Sequence, residues 1–346
     1  MRNSPYSMDK IIVDGSYLES GGQILRTAVA LSAIKKIPCK IINIRKGRPT
    51  PGLKAQHLKG IESAALLCNA EVKNLKIGAE EIEFFPKKLA AKDLKIDVGT
   101  AGSVTLLLQT IVPIAIFLDE PIELEITGGT HVRWSPPFDY FQHIFCYFLK
   151  RMGVNIESEI IRYGFYPKGG GKVRVYINPC KKLKPLCLEK RKGEGRLSAI
   201  SIASKELEKA KVAERQVESV EKIVKLNEKK ISYQQTYSTG SSIFLCAEFE
   251  NCRLGSSSLG ERGKPAEKVG FEAAKELKKT LLTESTVDEH MSDQLLPFIA
   301  LAERGSLFTT PKLTNHAKTN IWVINHFLKR KFEIEEREKN VLIKCL

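Results

Sequence analysis

The chain has 346 residues, of which 42% are apolar, enough for one large core or two domains. A net charge of +15 and an isoelectric point near 9.3 favour a polyanionic partner, RNA or DNA first. The polar start MRNSPYSMDK does not read as a signal peptide and IVPIAIFL is too short to span a bilayer, so a cytoplasmic protein without membrane contact is expected.

Elements follow in a regular order. KIIVDG (10–15) reads as a buried strand closed by Asp-Gly, and Gly21-Gly22 opens a helix over QILRTAVALSAI. CKIINI is a second strand, RKGRPTPG a basic loop, LKAQHLKGIESAALLCNA a second helix, and AEVKNLKIG and EEIEFFP hold two more strands. The order then recurs. KIDVG is a strand, TAGSVTLLLQTIVPIAIFL a small-residue loop running into a helix, IELEITGGT a strand, and HVRWSPP a loop before the helix FDYFQHIFCYFLKRMG. VNIESEII and GKVRVYI close this unit around the turn YGFYPKGGG.

A third copy lacks an evident opening strand. It runs SDQLLPFIALAER (helix), GSLFTT (strand), PKLTNHAK (loop), TNIWVINHFLKR (helix), FEIEERE and NVLIKCL (strands). Three βαβαββ units therefore fit about 10–88, 93–180 and 285–346, and each first helix carries a glutamine, Gln23, Gln109 or Gln294. Residues 185–284 do not fit the repeat. They read as a more polar α+β insert in which LGSSSLGERGKP is a Gly-rich turn. The predicted fold is α/β (α+β), with a three-repeat core domain over 1–184 and 285–346 and an inserted domain over 185–284. The eight cysteines, with no CxxC pair, read as reduced core thiols, not a disulfide framework or a zinc site.

Four loops could carry chemistry, each beside a plain structural alternative. Asp14 to Arg26 is a Gly-rich loop running into a helix. It could present N–H groups to phosphate, Glu19 to a divalent cation and Arg26 to a phosphate oxygen, or be only a turn and helix start. Arg45, Lys46, Arg48 and Lys54 crowd a loop before a helix, which suits phosphate or is merely a solvated basic loop. GGTHVRWSPP ends in prolines that could wall a flat pocket or simply start a helix. In DEHMSDQ, capping by Ser292 or Asp293 is explanation enough. His316 is expected in a loop at or just before a helix N-terminus, where a neutral imidazole could attack phosphorus, although an isolated histidine is more often structural.

The ordered set DGSYLESGGQILR, IRKGRPTPGLKAQHL, GTAGSVTLLLQT, GGTHVRWSPP, RYGFYPKGGG, SDQLLPFIALA and NHAKTNI resembles the RNA 3′-terminal phosphate cyclases over nearly the whole chain. The resemblance implies an ATP-dependent enzyme of the ligase class. It converts an RNA 3′-phosphate to a 2′,3′-cyclic phosphodiester through a covalent histidine–AMP and an RNA(3′)pp(5′)A intermediate, releasing AMP and diphosphate. It also implies His316 as nucleophile and Glu19 as ligand for Mg²⁺ or Mn²⁺. Arg26, Arg45, Arg48 and Gln56 would handle phosphates, and Gln109 would contact the nucleotide. Asp293 and Gln294 would lie beside the nucleophile, with Pro136 on one wall of the adenine site. His290 stands where relatives can place a tyrosine as the other wall, which implies altered nucleotide affinity or choice. The expected partners are ATP and RNA with a 3′-phosphate end, with a homo-oligomer allowed. The alternatives are a non-catalytic cyclase-like factor in ribosomal RNA processing and an enolpyruvyl-transferase-like enzyme.

Overall fold

In the computed structural model, which describes residues 10–346, the alternation of short apolar strands and helices forms four sheets of four strands each. The polar start, Lys10 apart, lies outside the described residues. The first sheet contains β1 (Ile11–Asp14), β2 (Cys39–Ile42), β3 (Glu71–Lys73) and β4 (Ile82–Phe85), with α1 (Gly22–Lys35) and α2 (Ala55–Cys68) between strands. Its order is β1-β2-β4-β3. The β1–β2 pair is parallel, which requires a crossover such as α1, and the other pairs are antiparallel.

The second sheet repeats this order with β5 (Leu94–Asp97), β6 (Ile122–Gly128), β7 (Ile156–Arg162) and β8 (Gly171–Ile177), arranged β5-β6-β8-β7. Between its strands lie α3 (Val104–Ala115) and a helical stretch made of α4 (Phe138–Tyr140), a π-helical segment Phe141–Phe145 and α5 (Cys146–Arg151). The sequence suggested one uninterrupted α-helix there.

Next comes β9 (Cys187–Leu188), then β10 (Arg196–Ser204), α6 (Val212–Glu221), β11 (Glu228–Gln234), β12 (Ser241–Glu248), β13 (Arg253–Leu259) and α7 (Ala266–Leu282). The chain ends with α8 (Glu289–Leu301), β14 (Ser306–Thr310), α9 (Asn315–Phe327), β15 (Phe332–Glu336) and β16 (Val341–Cys345). The sheet order β15-β16-β14-β9, read backwards, is again that of the first two sheets. β9 is the missing opening strand, parallel to β14. Two residues are too few to show a period of two, and about a hundred residues of insert separate them from their partner. A boundary at 184/185 therefore cuts β9 from the sheet it belongs to.

The fourth sheet, β11-β10-β12-β13, packs under α6 and α7 around its own apolar cluster, which includes Val217, Leu245, Val269 and Leu277. LGSSSL, expected in a turn, lies in strand β13. Its small side chains let α7 approach closely, and Ser256 Oγ donates to Ala273 O at 2.8 Å. The main core lies among the other three sheets and their helices, with α1 packed on α2, α3 and α9. All eight cysteines are unpaired thiols and most are buried, but Cys187 is exposed, contrary to the expectation of core thiols throughout. No described helix is long and apolar enough to cross a membrane.

One buried carboxylate joins three elements. Asp288 caps α8 by accepting from the His290 and Met291 N–H groups. It also accepts from the Tyr140 hydroxyl at 2.6 Å and from Gly255 N at 2.9 Å. Replacing Asp288 by alanine removes a cap worth about 1 kcal/mol. It also orphans the Tyr140 hydroxyl and the Gly255 N–H, and such losses cost about 1–3 kcal/mol each. Urea unfolding of Asp288→Ala is expected to show a loss of roughly 3 kcal/mol, and Asp288→Asn, which keeps the shape, a smaller one.

Candidate functional site

Helix α9 begins earlier than the sequence suggests. Thr314 is the cap, accepting from Ala317 N at 3.0 Å, so His316 sits inside the first helical turn and not in the preceding loop. Thr319 and Asn320, where the helix was expected to open, are buried one turn further on. The imidazole is half-exposed. Its Nδ1 lies 2.6 Å from Gln23 Oε1, while Gln23 Nε2 donates to Asp293 Oδ2 at 3.0 Å and to the His316 carbonyl at 3.1 Å. Because the amide NH₂ faces two acceptors, the Gln23 oxygen must face the ring, so Nδ1 carries the proton. The Nε2 lone pair is left free, 3.6 Å from Glu19 Oε2. Burial lowers the His316 pKa, Arg26 and Arg48 add to this, and Glu19 opposes it. The ring is therefore neutral at pH 7.

Glu19 reaches this point from the Gly-rich loop before α1. Leu18 and Ser20 there have left-handed backbones, and Ser20 Oγ accepts from Gly47 N at 2.7 Å, tying the loop to the basic one. Glu19 Oε2 is 3.4 Å from Arg48, the cation of that second loop. Gly21 gives α1 no side-chain cap, so first-turn N–H groups face the same space, as an anion site requires. Gly22 is needed for packing: a Cβ would lie 2.2 Å from His57 Nε2. His57, with Nδ1 accepting from Lys54 N at 3.1 Å, is driven down to about 3 by burial and by Arg26, Arg45 and Lys54.

A chain of polar side chains continues inward. Arg26 Nε donates to Gln109 Oε1 at 3.1 Å, Gln109 Nε2 to Gln294 Oε1 at 2.9 Å, and Gln294 Nε2 to the His290 carbonyl at 2.6 Å. Burial lowers Arg26 to about 10, which leaves it cationic at neutral pH, and raises Asp293 to about 7. These residues line a cavity of about 20 Å³, room for one water and far too small for a nucleotide. A nucleotide would have to lie on the open side, over His316, Glu19 and Arg48. His290 Nε2 is 2.8 Å from Glu276 Oε1, and this bond raises it to about 9, so the residue at the expected adenine wall is an imidazolium.

Three of the sequence-predicted residues lie outside this network. Arg45 turns back on its own loop, donating to the Thr50 and Gly52 carbonyls at 2.7 and 2.9 Å. Gln56 accepts from Ser103 N at 2.8 Å, and the Pro136 carbonyl accepts from Thr105 Oγ1 at 2.7 Å. They hold adjoining loops. The cap of α8 is Asp288 and not Ser292 or Asp293, so capping does not explain Asp293. A much larger cavity of about 780 Å³, lined by Glu62, Leu66, Leu75, Lys87 and Lys92 among others, contains none of the site residues. Gln23 was missed as a site residue. Its signal was the glutamine that recurs at positions 23, 109 and 294, all three of which fall in this network.

The profile of the RNA 3′-terminal phosphate cyclase family matches residues 17–334. This chain belongs to the RNA 3′-terminal phosphate cyclase family. Curated relatives called RNA 3′-terminal phosphate cyclase include one from Pyrococcus abyssi, 44% identical over 94% of this chain and 95% of its own. The relative from Methanopyrus kandleri is 44% identical over 96% and 97%. That from Methanococcoides burtonii is 45% identical over 96% and 99%. Within this cyclase-family fold, the Gln23–His316 contact has a direct spectroscopic consequence. The ¹⁵N imidazole spectrum of His316 is expected to show the Nδ1–H tautomer. Gln23→Leu should convert it to a mixture, and a wild-type Nε2–H tautomer would contradict the hydrogen bonding described.

Proposed function

We propose that the chain is an RNA 3′-terminal phosphate cyclase that uses ATP through a covalent His316–AMP. The observation that carries this reading is the neutral imidazole whose proton is held at Nδ1 by Gln23 while Nε2 opens onto Glu19, Arg48 and the uncapped start of α1. A nitrogen lone pair among cations and free N–H groups is suited to attack a phosphorus whose oxygens those groups hold.

In the first step Nε2 of His316 bonds to the α-phosphorus and the bond to the β-phosphate oxygen breaks, releasing diphosphate. Next, an oxygen of the RNA 3′-phosphate bonds to the adenylyl phosphorus, the His316 nitrogen leaves, and RNA(3′)pp(5′)A forms. The neighbouring 2′-hydroxyl then attacks the 3′-phosphorus, its proton is lost, and AMP departs, leaving the 2′,3′-cyclic end. Proximity of the 2′-hydroxyl favours the last step over attack by water.

Arg26 and Arg48 supply fixed positive charge for the phosphates. Glu19 fits a divalent cation, Mg²⁺ or Mn²⁺, because it is a carboxylate at the His316 nitrogen and such ions are often held by one or two carboxylates together with substrate phosphates. The bound ion would neutralise phosphate charge. Arg45, Gln56 and Pro136 order the rim loops in this reading, Gln109, Asp293 and Gln294 support the nucleophile, and the His290 imidazolium favours an electron-rich base. We further propose cytoplasmic action and treat the β10–α7 segment as an inserted unit.

With ATP labelled at the α-phosphate and Mg²⁺, the protein is expected to take up one label, and His316→Ala none. Label on His316→Ala would remove the nucleophile assignment, and no label on the wild type would favour a non-catalytic RNA-processing factor.

The pH dependence has a definite sign. The pKa of His316 lies below the ordinary 6.5, and only the neutral ring attacks. The labelling rate should therefore rise with pH along a limb below 6.5 and level off above it. Arg48→Met removes a charge that depresses this pKa, so the limb should move to higher pH whatever happens to the plateau rate.

A further inference from the structure

Three aromatic rings stand out from the surface. Trp134 is 93% exposed, Tyr166 75% and Tyr237 55%. Much of each ring faces solvent, yet the backbone that carries them is firmly held. Below Trp134, the buried Thr130 hydroxyl accepts from Gly164 N at 2.9 Å and pairs with His131 Nδ1 at 2.8 Å, and His131 Nε2 meets Asp139 at 2.5 Å. Trp134 itself has a left-handed backbone, φ 66°, which is rare for a bulky residue and calls for an explanation beyond packing.

The loops of the three rings are joined at their roots. A β-bridge links His131 to Phe165, next to Tyr166. Tyr237 lies against Gly170, with the Arg162 guanidinium 4.3 Å from its ring centre, and Ser238 Oγ accepts from Lys168 N at 3.0 Å. The patch is joined to the loops at the rim of the proposed active site, because Ser103 pairs with both Gly129 and Gln56, and Gly169 packs on Ala101.

We propose that Trp134, Tyr166 and Tyr237 form a stacking track for the single-stranded RNA that precedes the reacting 3′ end. The proposal rests on the cyclase reading of the adjoining site. Exposed aromatic faces interleaved with cations are how proteins hold unpaired bases without reading sequence. Lys168 is exposed and has no ion-pair partner among the described residues, so it is available to the backbone phosphates. An A-form duplex keeps its bases stacked inside and would offer these rings nothing to stack on.

The chain has two tryptophans, which makes the test direct. Trp322 is half-buried and stacked on Tyr17 at 4.2 Å, so the emission change on RNA binding that Trp134→Phe abolishes reports Trp134. The full-length protein is titrated with a 3′-hydroxyl oligonucleotide of about 12 nucleotides, within the range one such site covers. Binding is followed separately by anisotropy of a labelled strand. Emission is expected to fall as the strand binds. Trp134→Phe should lose that signal but keep most of the affinity. Trp134→Ala should weaken binding about tenfold, with ATP-dependent labelling of His316 in the absence of RNA unchanged. Saturating RNA with unaltered emission, Trp134→Ala binding as tightly as wild type, or equal binding of the matching duplex would each overturn the track. Because labelling of His316 needs no RNA, its failure would overturn the cyclase reading while leaving the emission result to stand or fall by itself.

Discussion

The Gln23 side chain is the contact on which the site depends. It leaves the first turn of α1, in the N-terminal part of the chain, and bridges His316 at the start of α9 and Asp293 in α8, both near the C-terminus. A second tie runs parallel to it. Thr27 Oγ1 donates to Asn320 Oδ1 at 2.7 Å, and Asn320 Nδ2 donates to the Asp293 carbonyl at 2.7 Å. The Gln23–His316 and Thr27–Asn320 contacts each span 293 residues, so the imidazole acquires its orientation only when the first and last parts of the chain have packed together. A ring held at both its backbone and its Nδ1 has little freedom left, which is what a nucleophile needs if its lone pair is to meet a phosphorus in line.

Charge around that ring is balanced narrowly. Desolvation and two arginines push His316 toward the neutral form, while Glu19 pulls it toward the cation. The ring is half-exposed, so desolvation, although the leading cause, is only part of what full burial would give. Glu19 faces a similar compromise. It stands between Arg48 and a neutral histidine, 3.4 Å from the one and 3.6 Å from the other, which positions it without cancelling the positive field that phosphate requires. Asp293 is the exception. Burial raises it to about 7, so it sits near the midpoint of its own titration while accepting from Gln23.

Legibility in the sequence followed the range of the interaction. The strand and helix alternation was readable because it is local, and the three sheets share one order where the repeat was expected. β9 was not readable, since two residues carry no pattern and its partner lies beyond the inserted segment. β13 was misread because Gly255 and Ser256 to Ser258 look like a turn, whereas their smallness serves the close approach of α7. The cap of α9 was misplaced by one turn, because two Thr/Asn pairs precede the apolar run and only tertiary packing selects Thr314. Glu19, Arg26, Arg48 and His316 could be named from motifs, but their meeting could not. Gln23 was visible only as one of three recurring glutamines.

That recurrence has a physical reading. Gln23, Gln109 and Gln294 occupy the first helices of three similarly ordered segments; Gln23 and Gln109 use both ends of the amide between helices, while Gln294 accepts across the interface and donates to the His290 carbonyl of its own helix. An amide can donate and accept at once without carrying charge, so it can pass hydrogen bonding through a partly buried interface where an ion would be costly. The three differ in partner. Gln109 and Gln294 connect Arg26 to the start of α8, and Gln23 alone faces a titratable ring. The same helix position is thus, in one segment, the place where a ring tautomer is chosen. This is why the chemistry proposed here belongs to one face of the three-sheet core and not to all three.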